Sequence, residues 1–178
     1  GDILSSNAEM AKLFEEKVFS YPKPITLLEY LIHYFIDKDF IVLDFFSGSA
    51  TTAHAVMHLN AEDMGSRKFI CVQLPELIDE KSEACKEGYT TICEIGKERI
   101  RRAGKKILEE IAQAELSDEE KKPLDVGFKV FKLDTSNLKT WDGTPIEDRQ
   151  IDIFYERLNS MIDTVKDDRT DMDVVYEV

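Results

Sequence analysis

The 178 residues carry 23 Lys and Arg against 36 Asp and Glu, a formal net charge of -13. That balance excludes a chain that binds polyanions over its whole surface, because nucleic acid rewards clustered cations; any DNA contact must be local or supplied elsewhere. With 43% hydrophobic and 33% charged residues the chain is too apolar for wholesale disorder, and its length suits one core or part of one.

Cys71, Cys85 and Cys93 form no CxxC pair, and their odd number leaves one over in any disulfide scheme. They point to a reducing compartment, with thiols behaving as small buried apolar groups. No apolar run approaches the roughly 18 to 20 residues that span a bilayer, and the N-terminus lacks a signal-peptide layout. The expectation is a soluble cytoplasmic protein with no membrane partner.

In chain order, "YPKPITLLEYLIHYF" sets Pro22 and Pro24 ahead of Leu27, Leu28, Leu31, Ile32 and Phe35 at helical spacing. The helix start is marked either by Pro24 or by Thr26 with Glu29 three residues on. "FIVLDFF", from Phe40, is β-forming without polar alternation, which predicts a strand covered on both faces, as in a parallel sheet. A helix follows, and "KFICVQL", Lys68 to Leu74, is a second buried strand, completing a β-α-β crossover. Ile92, Ile95, Ile100, Ala103, Ile107 and Ile111 predict a long helix from about Thr90 to Leu116. "GFKVFKL", Gly127 to Leu133, is expected as a third strand and "TSNLKTWDGTP" as a loop. Ile151, Phe154, Leu158, Ile162 and Val165 predict a further helix, and "MDVVYEV" a strand-like or helical start.

The informative place is the junction "LDFFSGSATTAHAV". Where a buried strand turns straight into a helix, the first N–H groups are unpaired and the helix dipole is positive. Gly48 lets a ligand approach the backbone, Ser47, Ser49 and Ala50 keep the turn narrow, and Thr51 and Thr52 can donate or cap. Asp44 sets a carboxylate at the mouth, so the corner asks for a ligand of mixed charge. A P-loop needs GxxxxGK[ST] and a dinucleotide fingerprint needs GxGxxG; this corner has neither. Taken alone, these residues leave a ligand seat and a plain strand–helix turn equally open.

The phrases "LDFFSGSATTAHAVMHLN" and "RKFICVQLPE" resemble the cofactor-binding half of DNA amino-methyltransferases, in particular the modification subunit of type III restriction-modification systems. The resemblance covers about Tyr21 to Trp141 and implies S-adenosyl-L-methionine as cofactor. It aligns Asp44, Phe46, Gly48 and Ser49 with the family's aspartate and Phe-x-Gly-x-Gly turn, with Thr51 next; Ala50 stands where the final glycine is usual, crowding the methionine end or fixing the turn. "YPKPITLLEYLI" resembles the preceding cofactor motif, which makes Lys23 and Pro24 candidates to close over the ligand. Gln73 falls where many relatives carry an acid for the ribose hydroxyls, and Glu76 follows three residues later; both are candidate cofactor contacts.

Such enzymes carry an [Asp/Asn/Ser]-Pro-Pro-aromatic loop that holds the flipped base. None of the five prolines here adjoins another. The chain is therefore expected to be a C-terminal portion of a larger enzyme, inactive alone, with no catalytic residue of its own. Residues 1–20 are expected to form a lead-in, 21–135 the cofactor-binding part and 136–178 a loop and helix, with both ends expected to be truncated. The expected fold is α/β, a partial Rossmann-like S-adenosylmethionine-dependent methyltransferase fold with three or more mainly parallel strands. Its parent would methylate adenine's exocyclic amino group and engage DNA, a second methyltransferase copy and a restriction subunit. The alternatives are a non-catalytic assembly module and a fragment of a cytosine amino-methyltransferase.

Two further features receive plainer readings. His54 and His58 stand four apart, but no third ligand is evident and no metal is assigned. Lys97, Arg99, Arg101, Arg102, Lys105 and Lys106 read as a solvated helix face with Glu98–Arg102 and Lys106–Glu110 pairing, against a phosphate contact as the alternative. Phe45 and Phe46 are expected to point to opposite sides, one into the core.

Overall fold

The helix at Thr51–Asp63 is the element around which the others gather, since nine of its residues are buried. In the computed structural model, which describes residues 3–114, 124–145 and 151–177, the chain divides into two units, Gly1–Phe128 and Lys129–Val178. The first contains α1 (Ile3–Phe14), α2 (Ile25–His33), β1 (Ile41–Asp44), α3 (Thr51–Asp63), β2 (Lys68–Cys71), α4 (Glu83–Lys86) and α5 (Ile92–Ala114). The second contains α6 (Ile151–Ser160) and α7 (Asp171–Glu177).

A helix that is apolar around most of its circumference must be packed on several sides, and α3 meets three partners. Ala55, Val56 and Leu59 pack with Ile25 and Ile32 of α2. Ala53 and Met57 pack with Ile100, Ala103 and Ile107 of α5. Val42 and Phe69 bring the sheet against the same helix. On α1, Met10 and Phe14 join Val18, Ala84 and Ile95 in a separate cluster.

The predicted crossover is present. β1 and β2 pair in parallel with Ile41 opposite Lys68 and Asp44 opposite Cys71, and α3 connects them. Asn60 closes the return from α3: its amide donates to the Arg67 carbonyl at 2.8 Å and its oxygen accepts from the Arg67 N–H at 3.1 Å. The Arg67 guanidinium forks onto Asp63 at 2.9 and 2.8 Å, which holds that carboxyl down to about 2. The helix starts follow local chemistry. Pro24 is the residue before α2, so the Thr26–Glu29 box is unused, and the Glu29 carboxylate instead lies 2.7 Å from His58 Nδ1. At α5, Glu94 reaches back to the Thr90 and Thr91 N–H groups at 2.6 and 3.2 Å, the returning half of a capping box.

Three expectations need correction. First, the sheet is covered on one face only among the described residues: Val42, Phe69 and Cys71 face the helices, while Ile41, Leu43 and Ile70 are about half exposed or more, at 58%, 48% and 49%. Alternating burial thus appears in strands whose sequence has no polar alternation. Second, residues 127–133 form no ladder, so the sheet has two strands rather than three among the described residues. Val126 and Phe128 pack on α5 instead, with Gly104 leaving room for Val126, and Leu133 is 98% exposed. Third, neither Phe45 nor Phe46 enters the core; they are 63% and 80% exposed.

The long helix spans Ile92–Ala114, and Leu116, the expected end, lies outside the described residues. In the second unit α6 stops at Ser160 rather than Val165, and the terminal segment is the helix α7. There Leu138 bridges Val165, and Arg157 donates to the Asp142 and Thr144 carbonyls at 3.0 and 2.6 Å.

The buried polar groups of α3 give two measurable consequences. Replacing Asn60 by Ala leaves both Arg67 backbone groups without their partners in a buried place; the expected loss is about 1–3 kcal/mol, read as a lower urea midpoint with unchanged slope. His54 is buried, and desolvation, with the fields of Arg99, His58 and Lys106, holds its imidazole down to about 3 from 6.5. Between those two values the unfolded chain binds a proton that the folded chain refuses, so stability falls as pH drops through the window. The melting temperature is expected to fall from pH 7 to pH 5, and the slope to flatten in His54→Gln.

Candidate functional site

Strand β1 ends on Asp44, and its carboxylate organises the corner. Oδ1 accepts from the Phe46 N–H at 3.2 Å and Oδ2 from the Thr52 hydroxyl at 2.6 Å, which ties the strand end to the first turn of α3. The chain then turns through Gly48 (φ 52°) and Ala50 (φ 59°), both left-handed, and the Ala50 N–H closes onto the Ser47 carbonyl at 2.7 Å. Glycine adopts that conformation freely, whereas an alanine costs about 1 kcal/mol. The Ala50 methyl is 2% exposed and belongs to the cluster between α3 and α5, so it fixes the turn and does not crowd the mouth.

The ends of the two strands are tied by Gln73. Its Oε1 accepts from the Gly48 N–H at 2.8 Å, and its Nε2 faces the Leu74 carbonyl at 3.3 Å and Glu76 Oε1 at 3.4 Å. Ser47 N–H donates to the Val72 carbonyl at 3.2 Å, extending the parallel ladder past the strands. Glu76 itself is exposed, with Leu74 beside it. The Cys93 thiol of α5 donates to the Gln73 carbonyl at 3.3 Å, and burial pushes its pKa up. Burial, reinforced by Asp44, likewise raises Cys71 to about 11, so both thiols stay protonated near neutral pH.

Beneath the corner lies α3's N-terminus. The first closing bond runs from His54 N–H to the Ala50 carbonyl at 3.3 Å, so the N–H groups of Thr51, Thr52 and Ala53 lie ahead of it. These three residues are buried at 5%, 3% and 0% exposure. A buried, positive helix end beside a carboxylate at the strand end can receive a group that is anionic at one place and a hydrogen-bond donor or cation at another.

Of the residues singled out in the sequence, Asp44, Phe46, Gly48, Ser49, Thr51, Gln73 and Glu76 come together here. Phe46 contributes its backbone, and its ring projects outward. Lys23 is exposed and Pro24 stands at the start of α2; no hydrogen bond joins either to the corner among the described residues. The segment before α2 meets the corner through Phe19 instead, whose Cζ lies 3.7 Å from where a Gly48 side chain would begin. Phe19 carries no periodic or motif signal that would have selected it.

The basic cluster of α5 does not form one surface. Arg102 bonds Glu98 at 2.8 Å and lies over the Phe14 ring at 4.8 Å, and Lys106 pairs with Glu110 at 3.7 Å, both pairs as expected from their spacing. Arg99 departs from the expectation: it is 1% exposed and turned inward, its Nη1 donating to Ser49 Oγ at 2.9 Å and Thr51 Oγ1 at 2.7 Å. Among the described residues no group of His, Cys, Asp and Glu forms a metal site, and no helix is long and apolar enough to cross a membrane.

Comparison with known proteins agrees with the motif reading. The DNA methylase family model matches residues 2–106. The Mod subunit of the type III restriction-modification enzyme StyLTI of Salmonella typhimurium is 43% identical over 145 residues, 79% of this chain and 21% of that protein. The EcoPI Mod subunit of Escherichia phage P1 is 41% identical over 127 residues, 71% of this chain and 18% of that protein. The EcoP15I Mod subunit of Escherichia coli is 43% identical over 127 residues, 70% of this chain and 17% of that protein. The chain thus spans about a fifth of the length of these relatives. With a family match over more than half its residues, coincident with the strand–helix corner just described, the chain belongs to the DNA methylase family.

Proposed function

We propose that this chain is the S-adenosyl-L-methionine-binding portion of a site-specific DNA methyltransferase that modifies the exocyclic amino group of adenine in a type III restriction-modification system. The observation that carries the reading is the corner itself: a buried helix end, a left-handed glycine and a strand-terminal carboxylate meet within eight residues, Asp44 to Thr51. The cofactor is zwitterionic in its amino acid part and cationic at sulfur, which suits that donor set. When bound, it supplies an electrophilic methyl group.

The residues of this chain would bind and orient. Asp44 offers negative charge at the mouth while it anchors Thr52, and the amides of α3 offer donors to a carboxylate. Gln73 already spends its oxygen on Gly48, so Glu76, exposed and ionisable, is the better acceptor for ribose hydroxyls, the more so because a charged acceptor bonds more strongly. Lys23, Pro24 and Phe19 would close the site from the segment before α2. Holding the methyl in line with a positioned nitrogen would supply much of the acceleration.

The base-holding Pro-Pro-aromatic loop would come from other parts of the parent enzyme, as would most DNA contact. The uncovered sheet face formed by Ile41, Leu43, Ile70, Val72 and Leu74 would then be a packing surface for more of the same polypeptide. A second methyltransferase copy and a restriction subunit are the proposed partners; the relatives' description as Mod subunits of type III restriction-modification enzymes supports the latter.

Calorimetric titration of the chain with S-adenosylmethionine tests this. One site is expected, with Glu76→Ala weakening it by about 10-fold or more and Gln73→Ala acting through loss of the Gly48 tie. The isolated chain is expected to transfer no methyl group to adenine-containing DNA. Absence of binding, or robust transfer by the purified chain, would overturn the reading.

A further inference from the structure

Resting on that cofactor reading, we infer that Arg99 is a positioning residue which, through Ser49 and Thr51, aims two hydroxyl hydrogens at the carboxylate of the bound cofactor. Arg99 lies on α5, some fifty residues beyond the corner in sequence, yet it is only 1% exposed. Among the described residues no carboxylate comes within ion-pair distance of it, and its Nε has no hydrogen-bond partner. Burial lowers its pKa to about 10, with Glu9 acting in the opposite sense, so it remains a cation at neutral pH. A buried cation held by two hydroxyls is costly as a purely structural device, since its desolvation is offset only by neutral dipoles.

The direction of the hydrogen bonds gives it a purpose. Nη1 donates to Ser49 Oγ and to Thr51 Oγ1, so both oxygens accept. Each hydroxyl keeps one hydrogen to give, and neither gives it to a protein acceptor among the described residues. Both residues are nonetheless buried, at 2% and 5% exposure. Two polarised O–H donors therefore remain unused next to the α3 amides, all of the sign that attracts an anion. Gly96, one turn before Arg99, makes the approach possible: a side chain there would begin 3.3 Å from the Gly48 carbonyl and 3.5 Å from the Ala50 methyl. Helix α5 thus grips the corner at two successive places.

The test uses the 178-residue chain and two ligands that share the nucleoside but differ in the amino acid part, S-adenosylmethionine and methylthioadenosine. Arg99→Met is expected to weaken S-adenosylmethionine by about 10- to 100-fold while changing methylthioadenosine by less than about threefold. Arg99→Lys, which keeps the charge but reaches one hydroxyl, is expected to fall between. Arg101→Met, on the exposed side of the same helix, should match the wild type. Equal weakening of both ligands would reduce Arg99 to a structural prop and overturn the inference, as would unchanged binding of S-adenosylmethionine. If Arg99→Met does not fold by circular dichroism, the same two-ligand comparison on Arg99→Lys decides. Failure of the wild-type chain to bind either ligand would instead remove the cofactor reading on which the inference stands.

Discussion

A strand that becomes a helix within seven residues must bury the helix's first turn, and nearly everything at this corner follows from that constraint. The N–H groups of Thr51, Thr52 and Ala53 cannot be left to water, because these residues are enclosed by α2, α5 and the sheet. Asp44 accepts from the Thr52 hydroxyl and so fixes the first turn without capping these N–H groups, and the Gln73 amide oxygen, just past β2, accepts from the Gly48 N–H. The remaining donors are fixed in place before any ligand arrives. Such preorganisation is what makes a helix end an effective anion seat, since nothing must be reordered at the moment of binding.

The same enclosure explains the polar groups that look misplaced. His54 and Arg99 are buried on facing elements, and the field of Arg99 adds to the desolvation that lowers His54. The histidine yields, because an imidazole can become neutral within the ordinary pH range and a guanidinium cannot. The charge thus concentrates on Arg99, next to Ser49 and Thr51. A lysine would be easier to neutralise and presents no planar fork, so the choice of arginine preserves both the field and the double hydrogen bond.

How much was legible in the sequence depends on the range of the interaction. The strand–helix–strand crossover, the start of α2 near Pro24 and the ion pairs four apart on α5 are local or periodic, and they appear where the residues predict them. Residues 127–133 have strand-like composition, but composition cannot supply a neighbouring strand to pair with, and Val126 and Phe128 find their burial on α5 instead. Arg99 reads as part of a solvated face because Lys97, Glu98, Arg101 and Arg102 around it are charged; the adjoining Ile100, and Ile95, Gly96 and Ala103 at helical spacing, mark the side that faces inward. Phe19 and Gln73 acquire their roles through contacts across about 25 residues or more, which no local pattern encodes.

The open sheet face completes the physical argument. Parallel strands are ordinarily buried on both sides, and their sequences then lack alternation. Alternation is weak here: Ile41, Leu43 and Ile70 are as apolar as Val42 and Phe69 on the covered side, yet they are about half exposed or more, and of the strand residues on the open face Lys68 alone is polar. A surface selected only for contact with water would carry Thr, Lys or Glu at such positions. The polypeptide proposed above to pack on this face would supply that second layer. Such a layer would bear on the corner, because Leu43 and Ile70 are the last outward residues before Asp44 and Cys71 at the strand ends. Packing against this face would stiffen the strand ends from behind, while α5 holds the same corner from the front through Gly96 and Arg99.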